Sequence, residues 1–245
     1  MEVKIIVIPK EQQRSMLERW EREDSYYSGM SKSFAGDLNK KARKYPYVGA
    51  SETEVSSMIV KTDVPINGPI NIVYLDGRSD AGFPHTRGMN GIALPIFLLW
   101  HPSEKTIQHE LVHLSQKQYS ERWWAWYKRV WNFRLATEKE LLSISEKWRR
   151  RRRINPDTLG IQYAVWRDRY IPLNVFISED SPDIRYCKRG FWDLQMTQWT
   201  WDAPPGWETT FGRGFNDEHP NEIAAHWIDG SAGKEKQQYF HLDQV

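Results

Sequence analysis

His109 and His113 stand four residues apart in TIQHELVHLSQ, residues 106–116, and Glu110 directly follows the first of them. Residues four apart on an α-helix differ by about 40° around the axis and project from adjacent turns, so both imidazoles can reach one ion. Hydrolytic zinc sites take three protein ligands and keep a fourth position for water, and two histidines with a glutamate are one of the sets in use. Glu110 lies about 100° from His109. That puts it beside the metal-bound water rather than on the metal, where it would act as general base. The alternative is an ordinary amphipathic helix whose histidines bond to carbonyls or carboxylates. It gives no reason for Glu110 to stand where a base is needed.

The surrounding residues suit a helix. Ile107, Leu111 and Leu114, with Val112 near them, form a stripe that can anchor it in a core while Thr106, His109, His113 and Gln116 face a cleft. Ser103 before Glu104 offers an N-cap and an acidic first turn, so the helix is expected to run to about Tyr119.

Two histidines leave a zinc site incomplete. The candidates for a third ligand are Glu138 and Glu140 on the following helical stretch, and His219, Glu222 and His226 within HPNEIAAH. HELVH followed by NEIAAH resembles the gluzincin clan of zinc metallopeptidases, thermolysin-like in ligand set, in which a Glu on a second helix completes the site. The resemblance implies Glu222 as that ligand. Four residues later the clan has Asp where this chain has His226, which departs from the pattern at the partner of the first histidine. PHTRG (84–88), IALP (92–95), HELVHLSQ (109–116), NPD (155–157) and EHPNEIAA (218–225) are also similar to small HExxH proteins of phages and large DNA viruses, spanning about residues 83–228. Side-chain size also favours Glu222. Ala224 and Ala225 would let a second helix approach closely, and Ile223 with Trp227 supplies a core contact.

Together these residues point to zinc-dependent peptide-bond hydrolysis. One Zn2+ would be held by His109, His113 and Glu222, Glu110 would act as general base, and a polypeptide would be the substrate. The tetrahedral oxyanion needs a further donor, for which His226, His219, His85 and Arg87 are candidates. We take His226 as the second candidate catalytic residue. An exposed edge at IALP would accept a peptide as an added strand. Two other readings remain open: a catalytically inactive relative serving a structural or virion-associated role, and a polyanion- or nucleic-acid-binding protein. The second would act through Arg149 to Arg153 in KWRRRRR, a run that equally fits a solvated helix end.

Composition limits the alternatives. With Cys187 as its single cysteine the chain has neither an intramolecular disulfide nor a thiolate zinc site, so any metal must use His and carboxylate. GIALPIFLLW is about half the length of a membrane-spanning helix. The five-residue apolar core at the N-terminus is too short for a secretory signal, so a cytoplasmic or virion-associated protein is expected. Net charge is +2, but residues 117–153 hold twelve Lys/Arg against four Asp/Glu and residues 176–245 reverse the balance, so the two stretches can attract each other.

Several elements must position these groups. VKIIVI (3–8) and INIVYL (70–75) read as strands, 11–24 as a helix, and 51–60 as a helix capped by Ser51. Pro95 argues that IALPIFLL is an edge strand or a strand break. One or two helices are expected over 120–153, β-rich structure over IQYAVW, IPLNVFI and FWDLQMTQWTW, and a helix over EHPNEIAAHWIDG. The fold class expected is α+β, metallopeptidase-like, with the HExxH helix packed beside a small sheet having an edge strand, further helices and a β-rich C-terminal part. A single domain is expected over 1–245, made of a βα portion (1–80) and a zinc-site portion (81–245).

Overall fold

A computed structural model describes residues 1–32, 35–43, 57–98, 103–158, 163–215 and 217–233, and these form an α+β structure with two sheets. In chain order the elements are β1 (Glu2–Val7), α1 (Lys10–Asp24), α2 (Tyr26–Lys32), α3 (Gly36–Ala42), β2 (Ser57–Lys61), β3 (Ile70–Leu75), β4 (His85–Arg87) and β5 (Gly91–Pro95). They continue with α4 (Glu104–Gln118), α5 (Ser120–Trp131), β6 (Phe133–Leu135), α6 (Glu138–Ser143) and α7 (Glu146–Arg151). The last are β7 (Ala164–Trp166), β8 (Tyr170–Phe176), β9 (Cys187–Asp193), β10 (Gln198–Thr200), α8 (Trp207–Phe211) and α9 (Pro220–Ile228).

The first sheet runs β2-β1-β3-β5-β4, with β1, β3 and β5 mutually parallel and β2 and β4 antiparallel on the flanks. It takes strands from both sides of residue 80. Side chains on its strands alternate between two cores because successive residues point to opposite faces. Ile5, Ile72, Tyr74, Ile92 and Leu94 share one core with Ile107, Leu111 and Leu114 of α4, whereas Val73, Leu75 and Ala93 meet Trp20 of α1. The helix bearing the histidines is therefore anchored by its apolar stripe, as its spacing predicts. Trp20 reaches the sheet because residue 91 lacks a side chain: a Cβ on Gly91 would lie 2.3 Å from the indole.

The second sheet, β10-β9-β8-β7-β6, is antiparallel throughout. Trp123, Trp126, Tyr127 and Trp131 of α5 are buried and join the α4 core to Phe133, Trp166, Phe191, Trp207 and Phe211. Many of these rings meet edge to face, as their quadrupoles prefer, for example Trp126 on Trp131 at 4.6 Å and Trp131 on Trp227 at 4.9 Å, while Tyr127 stacks on Trp131 at 5.6 Å.

Three expectations need correction. Ser57–Lys61 is strand β2 rather than the end of a helix, because Val60 and Met58 pair with β1; residues 51–56, including Ser51, lie outside the described residues. IALP lies inside the sheet, hydrogen-bonded to β3 on one side and β4 on the other, so it presents no free edge, and Pro95 ends the strand. Residues 120–153 hold three helices and a strand. Asn132, at φ 57°, takes the left-handed conformation that stops α5 without Gly or Pro, and Thr137 with Glu140 forms a capping box that starts α6.

The Gly91→Ala variant is expected to lose stability by about 1–3 kcal/mol through overpacking against Trp20, read as a lower urea midpoint at unchanged m-value.

Candidate metal centre

α4 and α9 bring the site together. α9 starts where His219 caps it, with His219 Nδ1 accepting from Asn221 N at 3.2 Å and Pro220 occupying the first turn, where its missing N–H costs nothing. Ile223, Ala224 and Ala225 are fully buried, and the small alanines let α9 lie close to α4. Gln116 ties the two helices together, its Nε2 donating to Asn221 O and Tyr127 Oη, each at 3.0 Å.

At this crossing His109, His113 and Glu222 converge. His109 Nε2 and His113 Nε2 are 3.1 Å apart, His113 Nε2 is 3.5 Å from Glu222 Oε1, and His109 Nε2 is 3.7 Å from Glu222 Oε2. Three donors at 2.0–2.1 Å around a tetrahedral zinc would be separated by about 3.3 Å. The other ring nitrogens are already engaged. His109 Nδ1 donates to Asp229 Oδ2 and His113 Nδ1 to Gln116 Oε1, both at 2.8 Å. Those bonds place the protons on Nδ1 and turn both Nε2 lone pairs toward the carboxylate, which is how outer partners orient metal-binding histidines. Asn155 Nδ2 donates to Glu222 Oε1 at 2.6 Å and to Glu218 Oε1 at 3.2 Å, and Arg153 also donates to Glu218, at 2.8 Å, so the third group is positioned from outside both helices.

Without a metal, a proton fills part of the gap. Burial works against a charge on His109, but the hydrogen bonds to Asp229 and Glu222 outweigh it and hold the imidazolium well above the usual range. Glu222 is held well below the usual carboxylate range: burial is outweighed by the charges of His113 and His109. His226 behaves in the opposite way. Burial and the neighbouring His109 charge push it down to about 4, so it is neutral at pH 7. Its ring lies edge-on to His109 at 4.7 Å, its Nδ1 is 2.7 Å from Ser231 Oγ, and its Nε2 is 4.0 Å from Glu222 Oε2.

Glu110 is 3% exposed, and its Oε2 has no hydrogen-bond partner among the described residues. Burial, then the charge of Asp157, pushes its carboxyl well above the ordinary range. A cleft of about 410 Å³ opens beside it, lined by His109, Glu222, His226 and Asp229 together with Phe83, Pro84, Ile154, Pro156 and Ile184.

The remaining candidates fall elsewhere. Glu140 bonds Arg134 and caps α6, and Glu138 sits on the same exposed turn, so neither belongs to the cluster. His219 serves as a helix cap against Trp124. Arg87 is committed to Asp24 and Glu21 away from this cleft, while His85 lines the cleft with its Nδ1 3.1 Å from Phe83 O. β4 is the sheet edge nearest the site, and its central peptide is already occupied: Asp157 accepts from Thr86 N and Oγ1, and Lys117 Nζ donates to Thr86 O. The arrangement at Thr86 thus leaves no free ladder positions for an added strand. Sequence reasoning missed Asp229 and the bond from Asn155 to Glu222. Asp229 lies three residues past His226 in IDG, where it reads as a helix end, and Asn155 in NPD reads as a helix stop.

No model of a known protein family matches the chain, and no curated protein and no solved structure matches it.

In the metal-free protein the two clustered histidines should titrate apart, His109 remaining charged above pH 6.5 and His226 neutral down to about 4, as read from imidazole NMR signals. His109, with its pKa raised, contributes stability that is present below the unfolded value of 6.5 and is lost as pH rises through its folded value. For His226 the sign reverses, and stability erodes as pH falls from 6.5 toward 4 because only the unfolded chain takes up the proton.

Proposed function

We propose that the chain is a zinc metallopeptidase, with His109, His113 and Glu222 as ligands and Glu110 as general base. The observation that carries this reading is the convergence of two imidazole lone pairs and a carboxylate at 3.1–3.7 Å while both Nδ1 atoms are satisfied by other acceptors. Three groups of that kind repel one another unless a cation lies among them. The neutral-imidazole and carboxylate donor set suits zinc, and the single cysteine leaves no thiolate alternative.

A zinc ion held there supplies Lewis acidity toward a peptide carbonyl and lowers the pKa of a coordinated water to about 7. The protein groups then handle protons and position. Glu110 takes a proton from the attacking water and delivers it to the leaving amine, and a raised carboxyl pKa brings that exchange nearer neutrality. Asp229 and Gln116 hold the two imidazoles in the tautomer that keeps Nε2 free. His226, held by the hydrogen bond its Nδ1 shares with Ser231 Oγ, lines the cleft as the candidate group for stabilising the oxyanion. The apolar wall formed by Phe83, Pro84 and Ile184 accommodates side chains of a polypeptide substrate.

Stoichiometric zinc is expected in the wild type and its loss in His113→Ala and in Glu222→Ala, measured by elemental analysis. Glu110→Gln should keep the metal while turnover of an unfolded polypeptide drops by about 10²- to 10⁴-fold. A wild type that holds zinc and cleaves nothing would instead favour the inactive, structural role. His226→Ala should lower kcat by about 10²- to 10³-fold with KM little changed, the pattern of a donor used only in the transition state.

Zinc binding should also release a proton near neutral pH, because His109 must give up the one it shares with the cluster. Calorimetry in buffers of different ionisation enthalpy would detect it, and a zinc affinity independent of pH below neutrality would contradict the ligand set.

A further inference from the structure

Apart from Arg153, which pairs with Glu218 beside the cleft, the KWRRRRR motif is not used by the metal centre, and its arginines have separate fates. Arg151 Nε bonds Phe176 O at 2.9 Å, Arg152 stacks over Tyr163 at 3.9 Å, and Arg153 pairs with Glu218. Arg150 stays open, its side chain 58% exposed with Glu146 3.9 Å away. Trp148 of α7 is committed to the second sheet. Trp148 stacks on Trp199 at 4.2 Å with 17° between the rings, and Trp201 stands perpendicular to both at 5.4 and 5.2 Å.

This cluster is built into the fold. Trp199 lies flat across β9 because residue 190 is glycine: a Cβ there would come within 2.1 Å of the indole. The cluster sits at β10, an open edge of the second sheet, and Trp201 remains 39% exposed. Lys147 Nζ lies 4.7 Å from the Trp148 ring and Lys188 Nζ 4.9 Å from the Trp201 ring. Three fixed indoles bordered by two exposed lysines, Lys147 and Lys188, combine flat apolar faces with positive charge.

We propose that Trp148, Trp199 and Trp201, with Lys147 and Lys188, form a binding platform for single-stranded nucleic acid, apart from the metal cleft. Phosphates meet the cations, and unpaired bases supply planar faces for the exposed indole. A duplex hides those faces within its own stack. An acidic peptide offers charge but nothing planar, so neither would use the aromatic half of the patch.

The test is fluorescence anisotropy of a labelled oligodeoxythymidylate of about 16 nucleotides, titrated with the full chain over a range of salt concentrations. Two phosphate contacts predict a salt slope of about −1.4. Trp201→Ala should weaken binding about tenfold, and Lys147→Gln with Lys188→Gln should flatten the slope by about 1.4, all at unchanged zinc content. Absence of saturable binding at low salt would overturn the proposal. So would equal affinity for a duplex, equal competition by polyglutamate, or indifference to Trp201→Ala in a protein whose circular dichroism shows it folded. Should Trp201→Ala fail to fold, the Lys147 and Lys188 variants, both at exposed positions, decide through the slope and the duplex comparison. Zinc content and peptide cleavage play no part in this readout, so the platform and the metallopeptidase reading can fail separately.

Discussion

Two imidazole lone pairs and a carboxylate are held within 3.1–3.7 Å of one another at a helix crossing from which most water is excluded. Such groups repel, and in a low-dielectric setting the repulsion is large unless a positive charge sits among them. Much of the surrounding structure holds this constraint in place. Asp229 and Gln116 take the Nδ1 protons, Asn155 fastens Glu222, and Gln116 also spans α4 and α9. With no metal present the charge is a proton on His109. A single proton bonds well to one acceptor and poorly to three, whereas a metal ion bonds to all of them.

The frame that bears this strain is rigid because α4 is packed on both sides. Its apolar stripe enters the core of the first sheet, and the indoles of α5 fill the space toward the second sheet. A histidine helix on a looser scaffold would relax, and its side chains would turn apart to water. Gly91 permits the same economy on the far face, where Trp20 lies directly on the strand next to β4. The second sheet contributes indirectly: Arg153 and Asn155, which follow α7, reach back to Glu218 and Glu222.

The cleft carries opposing electrostatic demands within a few ångströms. Glu222 is held well below the usual carboxylate range by the histidines, while Glu110, on the facing helix α4, is pushed well above it by burial and by Asp157. Two carboxylates placed so closely diverge because one faces cations and the other faces a like charge. That divergence is what a ligand and a base at one centre require. The edge strand β4 has its central peptide closed by Asp157 and Lys117, so in the proposed peptidase the substrate would be held chiefly by the cleft walls rather than by an added strand.

Local pattern alone made much of this legible. The i, i+4 histidines, the leucine stripe and the Ser103 start specify α4, since helix period and amphipathicity are properties of neighbouring residues. Alternation of Val and Ile marks β1 and β3, and Pro220 with Gly230 brackets α9. Other features depended on distant partners. That residues 57–61 form a strand depends on β1, and that IALP is interior depends on β3 and β4, because a strand is stabilised by neighbours its own sequence does not name. Asp229 and Asn155 read locally as a helix end and a stop, yet they orient His109 and Glu222. Residue types along the chain say which groups have the chemistry to hold a metal. Which of them meet follows from the packing of α9 against α4, a distance that no spacing along the chain encodes.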